Sequence, residues 1–256
     1  MLRLLAVLLL AATFAPAQTC TVLKPDAMDG VTASPANHKV LFETADIRVL
    51  EVSSHPHTAE KVHTHAMPAV MITDGFSTGT VTMEGEAPVM RAPPADTTTP
   101  RVVYLPSQTL HHAENLGDTP FHAIRIELKH PGCRLPGEPA ITLDATDALT
   151  AAPANYKVLL ENADVRVLAV TVAPHTEEPM HTHAWPSVMY VYQHPPFRIT
   201  ESAKPKVLHV PISGWKPRPQ LTFPEGLHSV ENVGDVPLRA IRVELKMANP
   251  NPPHTP

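Results

Sequence analysis

The amino-acid sequence is written twice. Residues 32–67 and 150–185 are identical at 23 of 36 positions, at a constant offset of 118. The match reaches back to the pairs Asp26/Asp144 and Asp29/Asp147. It resumes downstream, where LHHAENLGDTPFHAIRIELK from Leu110 aligns with LHSVENVGDVPLRAIRVELK from Leu227 at an offset of 117. A chain of 256 residues divided in this way is long enough for two domains, each burying its own core. We expect a first domain at residues 22–132, a linker at 133–139 (CRLPGEP) and a second domain at 140–248. A disordered, proline-rich tail follows at 249–256 (NPNPPHTP).

Within each copy the pattern is that of strands, so the expected class is all-β. Residues 47–52, 70–73 and 102–105 are rich in β-branched side chains, and residues 124–129 and 241–246 alternate strictly, which is the strand period. Asp74-Gly75, Gly117-Asp118 and Gly234-Asp235 supply turns between runs. Thirty prolines against ten glycines also disfavour long helices and favour short strands joined by stiff loops. No stretch carries a helical period of 3.6. In the alternating runs, Arg125, Glu127, Arg242 and Glu244 are expected on a polar strand face with cross-strand pairs. Met71 and Met189, at strand spacing from the histidines described below, are expected to face inward as packing.

The first seventeen residues read as a cleaved leader. Arg3 is the positive end, residues 4–12 are an apolar run too short for a comfortable membrane span, and Ala15-Pro16-Ala17 is a small-residue cleavage site. The mature protein is then periplasmic or secreted, with no transmembrane segment. A lipoprotein anchored through Cys20 is the alternative, although Thr19 precedes it where a small residue is wanted. In an oxidising compartment Cys20 and Cys133 have two states open to them, a disulfide or two free thiols. The net charge of −5 is spread along the chain with no basic patch, which argues against a nucleic-acid partner.

The chemistry rests on histidine. His63-Thr64-His65 and His181-Thr182-His183 place two imidazoles at i and i+2, on the same face of a strand and able to share one ion. His111 and His228 lie about 45 residues further on, each with an asparagine four positions later. All three histidines recur in both copies, whereas neighbours such as Met67/Trp185 and His112/Ser229 have diverged. Three neutral imidazoles suit a divalent transition metal, iron or zinc foremost, with nickel or copper also admitted. Of the pair His111-His112, only one can point inward, and the repeat selects His111. His57 and His175 also recur, six residues before each HxH. They are read as loop residues or as a second-shell group, a fourth ligand or proton donor beside the ion.

HxH on one strand, followed by a distant His with Asn four positions on, resembles the two motifs of the cupin superfamily, and the duplication is similar to the bicupins. The run Pro174–His183 (PHTEEPMHTH) resembles small exported bacterial cupin-domain proteins. The resemblance implies two tandem cupin-type jelly-roll β-barrels, each holding a metal inside through three histidines. These would be His63, His65 and His111 in the first barrel and His181, His183 and His228 in the second. It also allows a homodimer and manganese as a further metal. The chain departs from the pattern where many cupins have a Glu or Gln ligand after the second His. Those positions hold Ala69 and Val70 in one copy, Ser187 and Val188 in the other. What remains is similar to three-histidine iron dioxygenases.

Two functions fit. One is a metal-dependent enzyme, dioxygenase-like, acting on a small molecule. The other is a non-catalytic module that binds a metal or small ligand. Trp185, Tyr190, Tyr192 and Trp215, without aromatic counterparts in the first copy, either line a ligand pocket or pack the core.

Overall fold

In the computed structural model of the chain, residues 20–133, 141–202 and 206–247 are described. The expected leader and tail lie outside these residues, as does the expected linker apart from Cys133.

The first repeat forms α1 (Gly30–Ala33), β1 (His38–Glu43), β2 (Ile47–Ser54), β3 (Thr58–Ala59), β4 (His63–His65) and β5 (Ala69–Gly75). It continues with β6 (Gly79–Met83), β7 (Val89–Arg91), β8 (Arg101–Leu105), β9 (Gln108–Asn115) and β10 (Phe121–Leu128). The second repeat forms α2 (Ala148–Ala151), β11 (Tyr156–Glu161), β12 (Val165–Val172), β13 (His181–His183) and β14 (Ser187–Gln193). It ends with β15 (Phe197–Glu201), β16 (Val207–His209), β17 (Pro219–Thr222), β18 (Glu225–Asn232) and β19 (Leu238–Leu245). The only described helices are the two four-residue turns, each capped by an aspartate, Asp29 or Asp147.

Each repeat builds a five-stranded sheet opposed by one with fewer residues in its strands, of five strands in the first repeat and four in the second. The larger sheets run β1-β2-β10-β5-β8 and β11-β12-β19-β14-β17. The smaller ones run β3-β9-β6-β7, with β4 also on β9, and β13-β18-β15-β16. Every pairing between these strands is antiparallel. The connection between paired strands is long in several places; β10 returns to β2 and β19 to β12, as in a jelly roll.

The alternating strands put their two faces to different uses. Ile124, Ile126 and Leu128 of β10 join Ile47, Val49, Val70 and Ile72 on one side of the first large sheet. They form one buried cluster with Val165, Val167, Val188, Tyr190, Ile241, Val243 and Leu245 of the second repeat. The main apolar core therefore lies between the two large sheets, where each such side chain contributes about 1.5–3 kcal/mol relative to exposure. Tyr190 crosses this layer to donate a hydrogen bond to Asp74, which also pairs with His122. Tyr190 and Tyr192 are thus packing residues of the interface. Trp185 lies under the Arg166 guanidinium, 4.9 Å from its ring centroid, and Trp215 sits against His194. Phe197 packs against His194 and His209 beside Trp215, apart from that layer.

On the opposite face Arg125, Glu127, Arg242 and Glu244 form the expected polar strand face, with cross-strand pairs Arg48–Glu127 and Arg166–Glu244, but that face is buried: all four are at most 3 % exposed. With the apolar side of β10 and β19 committed to the interface, strand alternation turns the charged side into each barrel. Met71 and Met189, one residue out of phase with the interface residues Val70, Ile72, Val188 and Tyr190, share that inward face, and Met189 Sδ lies 3.8 Å from Arg242 Nη1. Cys20 and Cys133 are joined by a disulfide with Cα atoms 5.6 Å apart.

Candidate metal centres

The third histidine reaches each pair across a strand ladder. In register, His63 faces His111 and His181 faces His228, and each pairing slips before the second HxH residue, so that His65 faces Gln108 and His183 faces Glu225. The three rings then form a triangle with nearly the same dimensions in both barrels. Centroid separations are 5.0, 4.4 and 5.5 Å for His63–His65, His63–His111 and His65–His111. They are 5.0, 4.3 and 5.5 Å for His181–His183, His181–His228 and His183–His228. All six residues are buried.

The Nδ1 atoms are tied back to the protein. His63 Nδ1 lies 2.7 Å from Lys61 O, His111 Nδ1 2.7 Å from Thr109 O and His65 Nδ1 2.9 Å from Glu127 Oε1. In the second barrel His181 Nδ1 lies 2.9 Å from Pro179 O, His228 Nδ1 2.8 Å from Gly226 O and His183 Nδ1 2.9 Å from Glu244 Oε1. An Nδ1–H donating to an oxygen leaves Nε2 as a lone-pair donor, which is how ligating imidazoles are oriented. Burial lowers the pKa of His111 and His181 to about 4 and lowers that of His63. Burial and then the neighbouring Arg125 or Arg242 hold His65 and His183 far lower. These five rings are thus neutral, the ligating form.

Behind each HxH stands a buried ionic chain that recurs with the repeat. Asp29, the cap of α1, accepts from Arg48 Nη1 and Nη2 at 3.0 and 2.6 Å, and Arg48 Nε donates to Glu127 Oε2 at 2.6 Å. Asp147 accepts from Arg166 at 3.0 and 2.7 Å, and Arg166 Nε donates to Glu244. The asparagines of the second motif are turn organisers: Asn115 Nδ2 donates to Ser54 O and Thr119 O, and Asn232 Nδ2 to Val172 O and Val236 O.

Residues without a place in the sequence reading also face the clusters. His38 of β1 packs 4.5 Å from His63 and 5.2 Å from His65, centroid to centroid, and is 3 % exposed. His38, His63 and His65 offer ligand atoms within 4.8 Å of one another, as do His181, His183 and His228. Tyr156 takes the place of His38 in the second barrel, its hydroxyl 2.9 Å from His181 Nε2. Glu60 and Glu178, three residues before each HxH, lie 3.8 and 3.7 Å from the Nε2 atoms of His63 and His181. Burial raises their pKa to about 7 and about 8. Aligning the repeats would have flagged them, since Glu60 and Glu178 are identical and His38 falls on Tyr156.

His57 and His175 are placed elsewhere. Each sits on a loop at φ 56°, its side chain 64 % exposed and bonded at 2.9 Å to Asp118 or Asp235. A second-shell or proton-donor role beside the clusters does not fit that position. The missing Glu/Gln ligand has no hidden substitute at its usual place: Val70 and Val188 face the interface, and Ser187 bonds Thr222.

The donor set fits a metal ion. His183 Nε2 is buried with no hydrogen-bond partner, and an orphaned ring nitrogen among neutral imidazoles is a site prepared for a cation.

No protein-family model matches the chain, and no curated protein does. Solved structures do. AerE from Microcystis aeruginosa is similar with a TM-score of 0.50 at 11% identity, over 82% of this chain and 97% of that one. A cupin 2 conserved barrel domain protein from Leptotrichia buccalis aligns with a TM-score of 0.45 at 9% identity, over 81% and 88%. Salicylate 1,2-dioxygenase from Pseudoaminobacter salicylatoxidans aligns with a TM-score of 0.46 at 12% identity, over 80% and 70%. The chain thus shares its fold with AerE, and it builds a jelly-roll-like pair of sheets twice in one polypeptide.

Proposed function

We propose that this is an exported tandem cupin that binds a divalent transition metal in each barrel and acts as a metal-dependent enzyme on a small molecule. The carrying observation is the orientation of the histidines: six buried rings with Nδ1 engaged, which leaves each Nε2 free to ligate, grouped as two triangles of nearly the same size. His63, His65 and His111 would hold one ion, and His181, His183 and His228 the other. The bound ion supplies Lewis-acid or redox chemistry. The protein supplies the rest. Glu127 and Glu244 fix the tautomer and direction of His65 and His183. Glu178, kept protonated by burial, has Oε2 without a partner, so it carries a proton beside the cluster and can deliver it to a bound molecule. Glu60 occupies the same place in the first barrel. Export is supported by the leader-like residues 1–17 and by the disulfide.

Elemental analysis of untagged protein tests the reading. Two ions per chain are expected, and His63→Ala/His65→Ala or His181→Ala/His183→Ala should each remove one. Protein that carries no metal and takes up none on reconstitution would refute it.

A further inference from the structure

The two barrels share their histidine triangle, yet they differ at positions around it. Gly30, His38 and Gln108 of the first correspond to Ala148, Tyr156 and Glu225 of the second. The first two differences are coupled by space. A Cβ on Gly30 would lie 3.1 Å from His38 Cγ and Cδ2 and 3.1 Å from His63 Cδ2. A glycine there lets the His38 ring close on His63. Where the second barrel carries that Cβ on Ala148, the facing ring is a phenol, its centroid 4.9 Å from His181. His38 Nδ1 faces Ser34 O at 3.3 Å, so its Nε2 is the atom on the side of the cluster, as in the other three rings.

We infer that the two barrels are unequal metal centres. In the first, His38 joins His63, His65 and His111 as a fourth imidazole and closes the coordination. In the second, Tyr156 takes its place, and the ion held by His181, His183 and His228 keeps a position for an exogenous small molecule, faced by the Tyr156 hydroxyl. A closed four-nitrogen set is the pattern of a structural site, and three protein ligands with one position free is that of a catalytic one. The polar surroundings differ in the same sense. Tyr156 Oη also lies 3.4 Å from Glu178 Oε1, so that a phenol hydroxyl and a carboxyl group meet at the second cluster. In the first barrel Glu60 has no phenol beside it. At the third position, Gln108 Oε1 accepts from Arg125 Nη1 at 2.9 Å, whereas Glu225 pairs with Arg242 at 2.6 Å, which adds one partly exposed acid to the second barrel.

The inference rests on the proposed metal binding, and cobalt(II) separates the two. The full chain is loaded with cobalt(II) and titrated with azide, followed by visible absorption. One azide per two cobalt ions is expected. His38→Ala should raise this to two, and Ala148→Gly/Tyr156→His, which rebuilds the first arrangement in the second barrel, should lower it to none. Azide binding to both ions of the wild type, or an unchanged stoichiometry in His38→Ala, overturns the inference while leaving metal binding intact. A chain that takes up no cobalt overturns both. The wild-type stoichiometry decides even if a variant fails to fold.

Discussion

Glu127 holds His65 by one oxygen and Arg48 by the other, with Oε1 at 2.9 Å from the ring Nδ1 and Oε2 at 2.6 Å from Nε. The cap of the short helix, the central strands and the HxH strand are thereby joined through one fully buried carboxylate. Glu127→Gln keeps the shape but cannot accept from a ring N–H and an arginine with the same strength. Metal affinity in the first barrel should fall by about 10–100-fold, with the second barrel unchanged. Competition against a calibrated chelator measures both. Equal affinities in variant and wild type would show that the carboxylate does not act on the ligand.

The disulfide spans 113 residues of sequence. In the chain-entropy picture, closing a loop of that length stabilises the folded state by about 4–5 kcal/mol. Cys20→Ser/Cys133→Ser should unfold at lower denaturant with its metal content retained, because the groups of ligand atoms among the described residues contain no cysteine. Urea titration and metal analysis of the variant give the two readouts. An unchanged midpoint would mean that residues 20–28 are held by other contacts, such as the Leu23 N to Lys129 O hydrogen bond at 2.6 Å.

The apolar layer between the two large sheets makes each barrel part of the other's core. The whole chain should therefore unfold in a single transition, and either repeat expressed alone should expose the Ile124–Ile126–Leu128 or Ile241–Val243–Leu245 stripe and associate. Tyr190→Phe, which removes the hydroxyl that Asp74 accepts from across this layer, should cost about 1.5–3 kcal/mol. Calorimetry of the full chain and of the variant tests this; two resolved transitions in the wild type would count against the shared core.

The duplication, the strand periods and the histidine triangles were legible in the sequence because each is a local pattern repeated at a fixed offset. The fate of Arg125 and Glu127 was not. Alternation shows that two faces differ, but which face is wet depends on what the sheet packs against. Here the apolar face is taken by the other barrel. His38 and Tyr156 escaped for a different reason. They lie on a strand far in sequence from the HxH, and a histidine replaced by tyrosine looks like divergence until both are seen facing the same triangle. Glu60 and Glu178 are identical in the repeats, yet only burial gives them their chemistry. His57 and His175 show the converse: they recur because the loop needs the same positive-φ turn and the same Asp partner, so recurrence alone did not mark a site.

The clusters should also set the acid stability of the metal-free protein. Six buried imidazoles, His38, His63, His65, His111, His181 and His183, have folded-state pKa values below the ordinary 6.5, chiefly through burial. A depressed histidine contributes stability that is present above its unfolded pKa and lost as pH falls toward its folded one. Glu60 and Glu178 act in the opposite sense. Their pKa values are raised from 4.5 to about 7 and about 8, so their contribution is full below about 4.5 and lost as pH rises through 7 and 8. Between about pH 4.5 and 6.5 the six imidazoles outweigh the two carboxyls, and unfolding takes up roughly three to four protons. The melting temperature of chelator-treated protein should peak near pH 6.5–7, fall steeply toward pH 5 and decline gently toward pH 8.5. His38→Asn removes one of the six and should reduce the acid slope by about one proton, or ~1.4 kcal/mol per pH unit. Calorimetric scans at half-unit steps across this range are the measurement, and a flat profile between pH 5 and 6.5 would mean that the rings are protonated or exposed in the folded chain.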